Sequence, residues 1–252
     1  MRAKSISTHQ VFLVGALITG GLSLTLIPWI GVDNLAYTFL VYFLTTCVGG
    51  TITYHRLLSH RSFKPPEWFY NFGVLCGVWG IYGSPLSWVA IHRMHHKFAD
   101  SALDPHSPNH LPWWDVQFFS SLHRPDLRFV PDLINRPFYC FLHRYYLRIH
   151  LLIIASLLIL APKFLFFGYL WPAFLTWNLA SLVNFLCHIR GYRNFETKDT
   201  STNIWWLGLL VFGEGWHNNH HANSKKFSFR ENWWEFDLSE WIIRALIFCK
   251  KT

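Results

Sequence analysis

The sequence predicts an all-α integral membrane protein, with four transmembrane helices, interfacial helices and a cytosolic helical cap. Three observations predict it. Of 252 residues, 52% are hydrophobic and only 14% are charged, whereas a soluble domain carries about a quarter charged residues. Four long apolar runs fall into two pairs along the chain. The cationic side chains lie almost wholly on one side of those runs. Apolar surface this abundant needs lipid as its partner.

The runs come first. Residues 11–30 form an uncharged stretch of the roughly twenty residues that cross a hydrocarbon core about 30 Å thick. Gly31-Val32-Asp33-Asn34 reads as a turn, and residues 35–54 form the second span. The first run is too long for a signal-peptide core and is followed at once by the second, so cleavage is not expected. Residues 147–161 and 164–188 make the second hairpin, turning at Pro162-Lys163. Pro172 is expected to kink the last span, with a neighbouring helix re-satisfying the freed carbonyl.

Trp68 to Ile91 is also apolar, but it carries Gly73, Gly77, Gly80, Gly83 and Pro85. A fifth span there would split the histidines across the membrane, so a re-entrant or interfacial segment is the better reading. Ile204 to Phe212 is too short to span and is expected at the surface. The chain therefore reads as one domain over residues 1–252, with a cap built from 55–146 and 189–252.

Charge tests the topology. With four spans, every Lys and Arg except Lys163 falls on the side of the cap. That asymmetry is the positive-inside pattern and makes the cap cytoplasmic. The net charge of +8 needs no nucleic acid to explain it. Anionic lipid headgroups, an acidic donor protein or an anionic substrate head would each suit it.

The five cysteines are scattered without a CxxC pair, which suggests neither a zinc knuckle nor a disulfide framework. Histidine is the outlier, with fifteen in the chain. His55 and His60 lie in HRLLSH, His92, His95 and His96 in HRMHH, and His217, His220 and His221 in HNNHH. On a helix, positions i, i+3 and i+4 share a face, so the second and third clusters each form an imidazole patch. His55 and His60 are about 140° apart on an ideal α-helix and are expected to straddle the end of span two. His188 sits at the cytoplasmic end of span four, one turn after Asn184.

All nine rings thus lie at one depth and on one side. Protonated together they would repel, and neutral and buried their nitrogens need partners. Metal binding satisfies both demands, because neutral imidazole is the commonest metal ligand. Nine ligands exceed one tetrahedral zinc and suit two ions with open positions. Imidazole admits Zn, Cu, Fe and Ni, so spacing alone leaves the metal open. His9, His110, His123, His143 and His150, each taken singly, read as amphipathic interface residues.

In this order and between these paired spans, HRLLSH, HRMHH and HNNHH resemble the three histidine boxes of the membrane fatty acyl desaturases. Asp104-Pro105-His106, the NxxxH element from Asn184 to His188, Gly191-Tyr192-Arg193 and Gly213-Glu214-Gly215-Trp216 fit the same family. The likeness runs from Thr53 to the tail and is closest to the Δ9-type branch, with acyl-CoA and acyl-lipid members.

The resemblance implies two Fe(2+) ions as cofactor, with no catalytic residue beyond the metal site. One ion would draw on His55, His60, His92, His96 and His221, the other on His95, His188, His217 and His220. Asn184 would reach an ion through a water, where it could otherwise serve as a polar cap of span four. The implied reaction is O2-dependent removal of two hydrogens from adjacent methylenes, leaving a cis double bond at Δ9. Trp88, Trp113, Trp114, Trp177 and Trp216 are candidates for a dry acyl channel. Asp104, Asp100 and Glu214 are candidates to fix ring tautomers, and His106 could partner a ligand but reads better as a loop residue.

Residues Ala90 and Ile91 are apolar where the animal acyl-CoA branch has charged residues that engage the CoA head. That favours a lipid-linked acyl chain. Arg56, Arg61, Lys64, Arg93 and Lys97 could meet phosphates, although such residues are more often solvated or snorkelling. No HPGG-like haem element is present, so electrons are expected from a separate ferredoxin or cytochrome b5 type donor. Three alternatives stay open at this point. They are a related diiron hydroxylase or alkane monooxygenase, a metal transporter, and a catalytically silent lipid-binding relative.

Overall fold

The computed structural model describes residues 20–21, 31–119 and 125–251. The first predicted span, 11–30, lies outside the described residues except for Gly20 and Gly21, and His9 and His123 lie outside them as well. Among the described residues the chain is helical, and its only extended pairings are isolated bridges of Asn203 with Tyr192 and Trp216.

α1 (Val32–Tyr42) continues without a break into a π-wound segment, Phe43–Ser59. α2 (Glu67–Trp79) and α3 (Pro85–Phe98) follow, then α4 (Pro137–Leu160). A second helical path begins with α5 (Pro162–Leu165), passes through the π turn Phe166–Leu170 and ends as α6 (Trp171–Leu186). The cap closes with α7 (Trp205–Leu210), α8 (His217–Ala222) and α9 (Leu238–Lys251).

Two of these helices, Val32–Ser59 and Pro137–Leu160, are long and apolar enough to cross a membrane. The second starts ten residues before the predicted 147, because Pro137 fits the first helical turn, where a missing N–H costs nothing. Its apolar face stays open at Leu151, Leu152, Leu158, Ile159 and Leu160, as a lipid-facing helix requires. The segment 68–91 is not one span. It is two helices, and at 13 residues α2 reaches about 20 Å.

Pro172 behaves as its chemistry demands. Proline removes a hydrogen bond to the carbonyl four residues earlier, here Gly168. The helix answers with the π turn just before it, and the Gly168 carbonyl accepts from Trp79 Nε1 at 3.1 Å.

Small residues set the central crossing. α2 runs antiparallel along the π-wound segment, with Gly73 over Thr53, Gly77 over Tyr54 and Gly80 over Thr45. A Cβ on Gly49 would lie 2.3 Å from the Gly77 nitrogen, so only glycine permits this approach. The core gathers on both sides of the crossing, from Ile52, Tyr54, Val74 and Val89 to Tyr139, Leu142 and Tyr146.

Candidate metal centre

Local winding decides which rings meet. The first box lies at the end of the π-wound segment, where His60 N donates to the His55 carbonyl five residues back at 3.2 Å. Ser59 Oγ repeats that spacing on the Tyr54 carbonyl. An α-helix would splay His55 and His60 by about 140°. The wider turn brings them together edge to face instead, with ring centroids 5.0 Å apart.

The nine histidines form two groups. His55, His60, His92, His96 and His220 make one, and His95, His188, His217 and His221 the other, each with ligand atoms within 4.8 Å of one another. All nine predicted rings are therefore brought together. The division differs from the family-based expectation by one exchange, with His220 in the first group and His221 in the second. Helix geometry explains it. In α8, His221 follows His217 by about 40° of rotation while His220 points about 100° away from His221. In α3, His92 and His96 likewise stay together and His95 turns to the other group. The boxes predicted as single patches are each divided between both groups.

The nitrogens face inward. His60 and His92 Nε2 are 2.8 Å apart, His220 Nε2 lies 2.9 Å from both His55 and His96 Nε2, and His188 and His217 Nε2 are 3.1 Å apart. Behind them, carboxylates hold four Nδ1 atoms: Glu214 on His55, Asp104 on His95, Asp100 on His188 and Asp199 on His221. Asp104, Asp100 and Glu214 were expected in this role. Asp199 was not, since it sits in the polar 195–203 loop at no motif spacing from His221.

The donor set fits a cation. Burial holds His92, His95, His96, His217 and His220 well below the usual histidine range, and His60 at about 3, so these rings stay neutral. Burial pushes Asp104 up only to about 6, so it stays ionised at neutral pH. Burial also raises Asp199, but hydrogen bonds with His221, Ser201 and Thr197 outweigh it and hold it low. His95 and His221 must each spend their one proton on an aspartate, which leaves two lone pairs facing across 3.3 Å. Two acceptors at that distance repel unless a cation lies between them. Nitrogens about 2.1 Å from one ion, at angles from a right angle to tetrahedral, would sit about 3.0–3.4 Å apart, a range that includes this pair.

The neighbouring histidines sort themselves. His106, read as a loop residue, is buried with its ring 4.1 Å from His95 and its Nδ1 3.9 Å from Asp104. His110 bonds the Asp100 carbonyl from an exposed position, His143 bonds Ser84, and His150 bonds Tyr169. None of these last three joins a histidine group.

Beneath the third box lies a support the motif only hinted at. The two asparagines of HNNHH are buried. Asn218 Oδ1 accepts from the Asn194 and Phe195 backbones, while Asn219 Oδ1 accepts from Asn194 and Asn203. Asn219 Nδ2 donates to Glu235 Oε2, and Glu235 also accepts from Tyr192, Asn194 and the backbones of Glu231 and Asn232. Arg56, grouped with possible phosphate contacts, is instead fully buried. It donates to Asp237 at 2.9 Å and to the Phe227 carbonyl at 2.7 Å, and lies 3.8 Å over the Phe229 ring. Arg93 bonds both oxygens of Asp132 and the Ser59 carbonyl.

A cavity opens onto both groups. His55, His92 and His217 line its metal end together with Asn184. Gly50, Tyr82, Trp88, Trp177 and Val211 line the rest, between the π-wound segment and α6. Of the five candidate tryptophans, Trp88 and Trp177 are in its wall. Trp113 and Trp114 are exposed, and Trp216 is locked against Gly208 with Nε1 bonded to the Phe236 carbonyl.

Comparison with known proteins decides the family. A family model described as fatty acid desaturase matches residues 33–245. The chain belongs to the fatty acid desaturase family. It is an oxidoreductase acting on fatty acyl chains, and the family is membrane-associated. The desaturase is 40% identical over 216 residues to an sn-1 stearoyl-lipid 9-desaturase of Anabaena variabilis, covering 82% of this chain and 78% of that one. It is 41% identical over 216 residues to Delta-9 acyl-lipid desaturase 1 of Arabidopsis thaliana, covering 79% and 68%. An sn-2 palmitoyl-lipid 9-desaturase of Nostoc sp. (strain 36) is 35% identical over 229 residues, covering 87% and 80%.

Proposed function

We propose that this desaturase introduces a cis double bond at Δ9 of a saturated acyl chain carried on a lipid, using two iron ions. The observation that carries the reading is the pair of inward-facing imidazole groups at the end of an aromatic-lined cavity. The first ion would be held by His55, His60, His92, His96 and His220, and the second by His95, His188, His217 and His221. Asn184, in the cavity wall, would complete a coordination sphere through water. When bound, the iron supplies O2 reduction and the oxidising power to break unactivated C–H bonds, chemistry that no side chain offers.

The chain's own residues do the rest. Trp88 stacks on His92 with centroids 5.0 Å apart, and Trp177 and Tyr82 narrow the cavity above it. Such walls exclude water and hold two particular methylenes near the histidines. Glu214, Asp104, Asp100 and Asp199 orient the rings. The lipid-linked substrate is supported by the relatives' names and by Ala90 and Ile91, which are buried in the core and present nothing to a CoA head.

The reading includes a single domain over 1–252, with four spans, Val32–Ser59 and Pro137–Leu160 among them, and the cap on the cytoplasmic face. One-sided placement of the histidines argues against a transporter, whose ligands belong at the bilayer midplane. A separate ferredoxin or cytochrome b5 type protein supplies electrons.

Expression in a host lacking desaturase, followed by fatty-acid profiling of its lipids, tests this. The parent should create one new cis-monoene in the lipid fraction. His95→Ala should abolish it, whereas Arg128→Ala, at an exposed surface pair with Asp126, should leave it. A hydroxylated product without an alkene would overturn the reading.

A further inference from the structure

The two histidine groups differ in what stands behind them. In the four-histidine group, three rings have Nδ1 held by a carboxylate: His95 by Asp104 at 2.9 Å, His188 by Asp100 at 3.2 Å and His221 by Asp199 at 2.9 Å. In the five-histidine group only His55 is so held, by Glu214. Even that carboxylate is shared, since its other oxygen lies 3.8 Å from the buried Arg56 guanidinium. One ring in each group, His217 and His220, has an unpartnered buried Nδ1, so those two cancel.

We propose that the four-histidine group is the tighter metal site and fills before the five-histidine group. The inference rests on the two-metal reading above. A carboxylate behind a ligating imidazole raises its basicity and fixes its direction, and its loss typically costs 10–100-fold in metal affinity. Two more such rings outweigh one extra neutral imidazole. Three nearby negative charges also offset a dication, where the other group offers one charge facing an arginine.

The asymmetry has a sequence origin. Asp100, two residues past the end of α3, has a positive φ of 57°, and its carboxylate meets His188 Nδ1. Both Thr200 N and Oγ1 donate to the same Asp100 oxygen, at 2.6 and 2.8 Å. That contact ties the second box to the loop carrying Asp199. Three carboxylates from two distant segments thus converge on one side of the centre.

Metal-free desaturase in detergent, titrated anaerobically with Co(II) and followed by visible absorption and equilibrium dialysis, tests this. Two equivalents should bind, with Kd values separated by about 10-fold or more. Asp199→Asn should weaken the first equivalent by about 10–100-fold and leave the second. His60→Ala should lose the second and keep the first at the parent Kd, and this arm stands even if the aspartate variant fails to fold. Equal Kd values in the parent, or loss of the tight equivalent in His60→Ala, would overturn the inference while leaving the two-metal reading intact. Uptake of fewer than two Co(II) ions by the parent would overturn both.

Discussion

Replacing Asp237 by Asn isolates one buried charge. Arg56 has no solvent exposure, and its Nη1 lies 2.9 Å from Asp237 Oδ2. Phe229 N donates to Oδ2 and Glu240 N to Oδ1, so asparagine keeps the shape and an acceptor for one of these two backbone N–H groups. Above all it removes the countercharge. Breaking a buried ion pair by removing one partner costs about 3–5 kcal/mol, because the remaining charge is stranded. The next carboxylate, Glu214, is 3.8 Å from Arg56 and already engaged with His55. For a chain of this size, each kcal/mol moves Tm by about 2–4 °C, so a loss of about 6–20 °C is expected. The assay is thermal unfolding of purified protein in detergent, followed by tryptophan fluorescence. Arg56→Met combined with Asp237→Asn should recover at least half of the loss, since no stranded cation remains. A single-variant shift under about 3 °C, or a double variant less stable than the single, would refute the reasoning.

Chelation of the metal should lower Tm, and adding back ferrous iron should restore it, because anything that binds only the folded state stabilises it; an unchanged melting curve counts against a structural contribution from the centre. Gly49→Val should abolish folded yield, since even a Cβ would overlap the Gly77 backbone, and size-exclusion chromatography of the detergent extract reads this directly. Glu235→Ala leaves Asn219, Tyr192, Asn194 and two backbone N–H groups without their shared acceptor. Of these donors Asn219 is buried, and an unsatisfied buried donor costs about 1–3 kcal/mol, so this variant should melt below the parent in the same fluorescence assay. Trp177→Ala enlarges the cavity wall and should shift the product profile towards longer acyl chains, as read by gas chromatography.

Some of this architecture was legible in the chain and some was not. The apolar runs and the i, i+3, i+4 spacing of histidines announce a helical protein with a clustered metal centre, because both rest on fixed helical periodicity. The freed carbonyl before Pro172 and its rescue by a neighbour follow from missing-donor chemistry, and only the identity of the rescuer, Trp79, had to come from the fold. The pairing of His55 with His60 was harder. It depends on a π winding that residue spacing read at 3.6 per turn does not contain. The exchange of His220 and His221 needed the rotation of α8 relative to α3, a property of packing rather than of either motif. Asp199, Glu235 and the burial of Arg56 were hidden for a common reason. Each acts across a long loop, so no local pattern ties it to its partner. His106 lies in a turn, as expected, but its burial was not legible, because a DPH turn looks exposed until the chain folds Asp104 back onto His95.

The interleaving of α3 and α8, each sending one histidine across to the other group, bears on how this protein could be redesigned. Erasing HRMHH or HNNHH strips ligands from both pockets at once, whereas HRLLSH serves the five-histidine pocket alone, so only the first motif offers a route to a one-ion version. For the same reason, a chain in which only one of α3 and α8 has docked owns neither complete pocket, so metal capture should wait until the whole assembly is in place.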